Sequence, residues 1–119
     1  MKSLTVLDAK EIAAGDFAES DVIDLSYYAT FGFFSLQLYV TGDGTGKFEY
    51  ETSNDGKKFI TQTATADQIV IDFTKTSGPA SNGEDLISFE PEPTKYIKIK
   101  ATETGGISTI TVTAILFVA

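Results

Sequence analysis

The stretch that decides the fold runs from Phe48 to Ile60 and reads FEYETSNDGKKFI. Its first five residues alternate between side chains suited to a protein core and glutamates suited to water. The core positions are Phe48, Tyr50 and Thr52. Alternation with a period of two is typical of a β-strand that has one buried face. The stretch therefore predicts a strand that belongs to a sheet.

Turn-forming residues then interrupt the pattern, and apolar side chains resume at Phe59. The predicted hairpin turn consists of Ser53, Asn54, Asp55 and Gly56. Asn, Asp and Gly tolerate positive φ, which allows the chain to reverse its direction. We therefore expect an antiparallel hairpin whose second strand begins at Phe59.

Similar strand patterns recur along the whole chain. The strongest is Phe31–Thr41, and the others are Ser3–Leu7, Asp21–Leu25, Gln68–Lys75, Leu86–Phe89, Tyr96–Ala101 and Ile107–Val118. The segment Ala9–Glu19 is broken by Gly15, so we interpret it as a loop or a single turn. About eight or nine strands joined by short turns predict an all-β fold, an antiparallel β-sandwich that resembles a jelly roll.

The length of the chain bounds its organisation. A chain of 119 residues is long enough to bury roughly two-thirds of its unfolded surface around one core. No linker or internal repeat divides it. We therefore expect one β-sandwich domain over residues 1–119, with residues 1–20 as a candidate N-terminal arm or edge segment.

The composition argues against several classes of function. A net charge of −8 opposes binding to nucleic-acid phosphates. The absence of cysteine and histidine removes disulfides, zinc sites of the usual ligand types, and the Ser-His-Asp and Cys-His catalytic arrangements. The longest apolar run, Ala114–Ala119, is far shorter than the ~20 residues that span a bilayer. We predict no catalytic, cofactor-binding or metal-binding residues, no nucleic-acid partner and no membrane span.

Two kinds of polar site are alternatives to this prediction. Glu49 and Glu51 lie two residues apart on a strand, so they share a side that we expect to face solvent; a Ser-Lys or paired-carboxylate mechanism stays formally open. Calcium would need oxygen-rich loops of the kind found at Gly42–Gly46, Ser53–Gly56 and Ser81–Asp85. Asp, Asn and Gly are also the ordinary turn formers, and we favour that interpretation of all three loops.

Two segments are apolar on both of their faces. They are Ile115–Val118 and Phe31–Phe34. A sheet with one solvent-exposed face does not show this pattern. We therefore expect the second face of each segment to be covered by another part of the chain or by another subunit. We favour a loop of the same chain as the cover of Phe33 and another subunit as the cover of Phe117. The candidate interface residues are Phe33, Tyr39, Ile115 and Phe117.

The order of the strands resembles that of small β-sandwich structural proteins of bacteriophage virions, which serve as decoration, head-fibre, vertex or tail-associated subunits. The segments that carry this resemblance are Asp21–Ser26, Phe34–Gly42, Gly46–Phe59, Tyr96–Lys100 and the threonine-rich closing strand. It covers nearly the whole chain from about residue 20. The resemblance implies a non-enzymatic virion protein without cofactors. Its partners would be copies of itself, with a trimer as one expected form, and other virion proteins.

A second resemblance leads to an alternative function. The Ser-Asn-Asp-Gly-x-x-aromatic piece is similar to hairpins of discoidin-like and carbohydrate-binding jelly rolls, which would make the chain an adhesion module. Such a module would present exposed aromatic rings to sugars, here Tyr27, Tyr28, Tyr39 or Phe33. The chain has no tryptophan or arginine and is shorter than a typical discoidin domain, so we favour the virion protein. A host-derived surface or adhesin fragment is a third interpretation.

Overall fold

Two antiparallel sheets packed face to face make up the computed structural model, which describes residues 2–28, 32–61, 68–91 and 94–118. The strands of this part of the chain are β1 (Lys2–Ile12), β2 (Phe17–Glu19), β3 (Ile23–Asp24), β4 (Phe34–Thr41), β5 (Gly46–Ser53), β6 (Gln68–Phe73), β7 (Glu84–Phe89), β8 (Tyr96–Glu103) and β9 (Ile110–Val118). A short 3₁₀ helix follows β3 at Leu25–Tyr27. Within the described ranges, no helix is long and apolar enough to cross a membrane.

The order of the strands is that of a jelly roll. Sheet A has the order β1-β9-β4-β7, and sheet B has the order β2-β8-β5-β6, with β3 also paired to β8. Each strand pair is antiparallel. Most connections carry the chain from one sheet to the other. This arrangement confirms the predicted fold class.

The core lies between the sheets and is built from the alternate residues of their strands. The predicted core positions Phe48 and Tyr50 are fully buried there. The ring of Phe89 stacks against Phe34 on one side and Tyr50 on the other, with centroid distances of 5.6 and 5.4 Å. These contacts tie β7 and β4 of sheet A to β5 of sheet B. The buried face of the quoted stretch is therefore as predicted.

The segment predicted as a loop at Ala9–Glu19 is different in the structure. Strand β1 continues to Ile12, which pairs with Ile110, and β2 begins at Phe17. Register shifts interrupt β1 between Thr5 and Leu7 and again before Lys10. Such bulges shift the alternation of side chains, so the sequence pattern hides the strand.

The antiparallel return predicted after the turn is confirmed, but the prediction of a second strand from Phe59 is wrong. Beyond the turn, Ile60 forms a single bridge with Thr52, and no strand begins at Phe59. The hairpin partner of β5 is β6, which pairs Val70 with Phe48. Residues 62–67 lie outside the described part of the chain. The strand predicted over Phe31–Thr41 begins at Phe34, and Phe31 is likewise outside the described residues.

A buried carboxylate joins three connections at one end of the sandwich. Glu103, the last residue of β8, is 1% exposed. Its Oε1 accepts hydrogen bonds from the backbone N–H groups of Gly15 at 2.9 Å and Gly106 at 2.7 Å. Its Oε2 accepts from Thr45 at 2.8 Å and Gly105 at 2.9 Å. Hydrogen bonds from these backbone groups lower the pKa of Glu103 to about 2 in spite of its burial. The bond from Thr45 has the largest effect.

Glu103→Gln should lower the free energy of unfolding by about 2–4 kcal/mol at neutral pH, because an amide nitrogen would face donors that need an acceptor. The lowered pKa means that this contribution is complete above the ordinary value of 4.5 and is lost as the pH falls toward 2. Urea unfolding across this pH range measures both effects. Glu11→Gln, at an exposed position of β1, is the control. Equal urea midpoints for the two variants would contradict the prediction.

Candidate functional site

The outer surface of sheet A, here called face A, brings the candidate interface residues together. On β9, Ile115 and Phe117 point away from the core between buried neighbours, and on β4 the same is true of Tyr39. The register places Phe117 beside Ser35 and Ile115 beside Gln37. Phe33 precedes β4 and points away from its buried neighbour Phe34. All four predicted residues therefore lie on one surface.

Face A is not covered by other parts of the described chain. Phe33 is 56% exposed, Phe117 is 37% exposed and Tyr39 is 36% exposed. The loop that we expected over Phe33 is therefore not seen among the described residues. Leu86 of β7, which is 65% exposed, extends the surface next to Gln37. The sequence pattern placed Leu86 in a strand but gave no sign that it lies on this face.

Face A has an apolar end and a polar end. At the apolar end, Phe33 and Phe117 line a shallow cavity of about 220 Å³. At the polar end, Tyr39 lies in a groove of about 350 Å³ between β4, β7 and the loop before β7. Tyr39 and the position next to Phe117 are four residues apart on β4, which corresponds to about 13 Å. The two ends can therefore contact different molecules.

The outer surface of sheet B, here called face B, carries lysines over aromatic rings. The Nζ atom of Lys98 lies 4.4 Å from the ring centroid of Phe59, and that of Lys100 lies 4.5 Å from the ring of Phe17. Lys98 also forms an ion pair with Glu19 at 2.7 Å. These contacts attach β2 and the segment after the turn to β8.

The two glutamates expected to face solvent on β5 lie on face B, where Glu49 is buried and Glu51 is half-buried. Glu49 pairs with Lys47 at 3.4 Å, and the carboxyl group of Glu51 meets that of Glu19. Burial, followed by the neighbouring Glu19, raises the pKa of Glu51. The hydrogen bond from Lys98 lowers the pKa of Glu19. Within the described ranges, Oε1 of Glu51 is buried without a hydrogen-bond partner. The carboxyl pair therefore connects β2 to β5 across β8.

The predicted turn is held by its own side chains. The Oδ1 atom of Asp55 accepts hydrogen bonds from the backbone of Lys57 at 2.8 Å and Lys58 at 3.1 Å, and these bonds lower the pKa of Asp55. The hydroxyl of Ser53 donates to the same oxygen at 2.9 Å. Gly56 has a φ of +74°. These contacts give Asp55 a structural role in the turn.

The adjacent Asn54 ties the turn to the start of β8. Its Oδ1 atom accepts a hydrogen bond from the backbone of Lys95 at 3.1 Å. Among the described residues, no group of three or more acidic side chains is arranged to hold a metal ion.

The comparisons with known proteins show the fold. No protein-family model matches the chain, and no curated protein matches its sequence. The structure is similar to that of the infectious bursal disease virus VP2 subviral particle, with a TM-score of 0.55 and 11% identity. That match covers 97% of this chain and 31% of VP2, so the chain spans about a third of the viral protein.

Two further structures show a weaker likeness. The SPBc2 prophage-derived protein YomS has a TM-score of 0.45 and 15% identity, with 97% of this chain and 90% of YomS covered. The CBM22-1 xylan-binding domain of Xyn10C from Paenibacillus barcinonensis has a TM-score of 0.46 and 10% identity, with 96% and 91% covered. At these identities the likeness concerns the fold alone.

Gly56→Val should lower the free energy of unfolding by about 1 kcal/mol or more, because φ is positive at this position. A Cβ atom there would also lie 3.1 Å from Cε2 of Tyr96. Gly15→Val is the matched control, since Gly15 has a φ of +73° but open space around its Cβ position. Thermal melting should show a larger loss for Gly56→Val. An unchanged melting temperature for Gly56→Val would contradict the role of this glycine.

Glu51→Gln should raise the urea midpoint at about pH 7 and leave it unchanged at about pH 4. The raised pKa of Glu51 means that its contribution to stability is present below the ordinary value of 4.5 and is lost as the pH rises through the raised value. Glutamine keeps the contact with Glu19 and removes this titration. Glu11→Gln again serves as the control. A variant that loses stability at neutral pH would show that Glu51 acts as a charged partner of Lys98.

Proposed function

We propose that the chain is a non-enzymatic structural subunit of a bacteriophage virion, which assembles with copies of itself and other virion proteins through the apolar end of face A. The observation that carries the proposal is the exposed apolar surface at Phe33 and Phe117, which the half-buried Ile115 extends. Exposed apolar patches of this kind mark protein interaction sites. The resemblance in strand order directs the proposal to the virion.

The charge distribution supports an association through this surface. The chain carries a net charge of −8, so two copies repel each other at most orientations. The register neighbours of Phe117 and Ile115 are uncharged on both sides: Ser3, Thr5, Ser35 and Gln37. A contact centred on these strands therefore brings together uncharged side chains, with Glu90 as an acidic residue of the neighbouring cavity.

The energetics of burial favour the same contact. Burying a large apolar side chain contributes roughly 1.5–3 kcal/mol before the costs of association. Phe33 and Phe117 are both available for this gain because their rings are partly exposed and adjacent. Repetition of the contact in a closed oligomer, such as a trimer, multiplies this favourable free energy of burial. The chain needs no cofactor for such a role.

The absence of histidine and cysteine supports a non-enzymatic role, because the common nucleophile–base pairs cannot form. The partly buried glutamates of face B are engaged with lysines and with each other. A similar fold also makes up about a third of VP2 in the infectious bursal disease virus subviral particle. That precedent supports the fold as a framework for assembly, and the function of this chain is proposed from face A.

The purified chain should self-associate, or bind the phage particle that it belongs to, and Phe117→Ser should weaken this association by about tenfold or more. Light scattering over a concentration series measures self-association, and co-sedimentation with the particle measures binding. Phe33→Ser, outside any strand, should have the same effect without altering the sheet.

The matched control is Ile107→Ser, which removes an exposed apolar side chain from the β8–β9 loop, away from face A. It should leave the association unchanged. A protein that stays monomeric at high concentration and binds no particle would overturn the proposal. Equal association by the variants Phe117→Ser, Phe33→Ser and Ile107→Ser would also overturn it.

A further inference from the structure

We propose that the polar end of face A is a binding site for a neutral saccharide. The site is the groove of about 350 Å³ beside Tyr39, which lies at the lower end of the range for small-ligand sites, about 300–1,000 Å³. The groove is separate from the apolar end, so saccharide binding can be tested independently of assembly.

On the floor of the groove, apolar and polar side chains alternate both along each strand and between the two paired strands. Tyr39 of β4 pairs with Glu84 of β7, and Gln37 pairs with Leu86. The aromatic ring and the exposed leucine therefore lie on one diagonal of the floor, and the amide and the carboxylate lie on the other. A sugar ring has the matching character, because it combines C–H faces that stack on aromatic rings with hydroxyl groups at its rim.

The polar groups of the groove include both donors and acceptors. The side-chain amide of Gln37 donates to the hydroxyl of Tyr39, and the amide of Asn82 donates to Oε2 of Glu84 at 2.9 Å. A sugar hydroxyl can both donate and accept, so it can add to such a network. A cationic ligand would be attracted by the carboxylates of Glu84 and Asp85, but it would offer no acceptor to the amide N–H groups of the groove.

The charge of the groove opposes anionic ligands. Among the described residues that line it, the charged ones are Glu84 and Asp85, both acidic. Phosphates and acidic sugars would be repelled by these carboxylates. The charge therefore disfavours acidic ligands, and the aromatic ring with its mixed donors and acceptors points to an uncharged sugar unit.

The wall of the groove is held by backbone hydrogen bonds and close backbone contacts. Gly83 has a φ of +78°, its N–H donates to the carbonyl of Ser77 at 2.8 Å, and its carbonyl accepts from Val40 at 2.9 Å. Gly78 has a φ of +94°, and a Cβ there would collide with the carbonyl of Glu84. The loop that contributes Pro79 and Asn82 is thus fixed to β4 and β7, and a fixed wall reduces the entropy lost on binding.

Two-dimensional NMR of the ¹⁵N-labelled chain tests the site. The probes are maltotriose, cellotriose, xylotriose and chitotriose as neutral saccharides, with trigalacturonic acid and trilysine as the charged comparisons. At least one neutral trisaccharide should shift the amide signals of β4, β7 and the loop before β7, and both charged probes should leave them in place. Tyr39→Ala should weaken this binding by about tenfold or more.

The matched control is Tyr27→Ala, which removes an exposed tyrosine from the 3₁₀ helix, outside face A. It should bind the saccharide as the wild type does, as should Phe117→Ser. Gln37→Ala provides a second groove variant, expected to weaken binding, should Tyr39→Ala unfold. The proposal is overturned if no neutral probe shifts these signals, if trilysine alone does so, or if both groove variants bind as well as the control.

Discussion

The carboxylate of Glu103 is the interaction on which the arrangement of the two sheets depends. Its four hydrogen bonds reach the connections β1–β2, β4–β5 and β8–β9, and each of these carries the chain between sheet A and sheet B. A sandwich needs its sheets in a fixed relative position for the inner side chains to interlock. Glu103 supplies this position at one end, and the stack of Phe34, Phe89 and Tyr50 supplies it within the core.

Much of the fold could be predicted from the local alternation of apolar and polar residues, because this pattern shows which face of each strand is buried. Phe48 and Tyr50 are examples, and their burial follows directly from the pattern. The limit of this reasoning lies in contacts between distant segments. Glu103 receives hydrogen bonds from Gly15 and Thr45, which are 88 and 58 residues away, so its neighbours do not mark it as special. The bulges of β1 likewise depend on its pairing with β9.

The candidate site could be predicted from the sequence to about the same extent as the fold. An apolar residue where a strand should be polar reveals an unusual surface, and this indicated Ile115 and Phe117. The groove beside Tyr39 exists because β7 pairs with β4, and no local pattern specifies that partner. The same limit explains the error at Glu51. It was expected in solvent, but Glu19 from a distant strand lies against it. Sequence reasoning therefore indicated which side chains were available, and the topology determined which of them meet.

The bulges of β1 also determine the ways in which copies of the protein can meet. A straight edge strand invites the next chain to extend the sheet, and repeated extension leads to fibres. Here β1 forms one edge of sheet A, and its register shifts and the left-handed conformation of Ala9 interrupt the row of hydrogen-bonding groups. Growth of the sheet past this edge is therefore disfavoured, while Phe33 and Phe117 on face A stay exposed. In the proposed assembly, an edge of this kind would direct contacts between copies to face A and away from extension of the sheet.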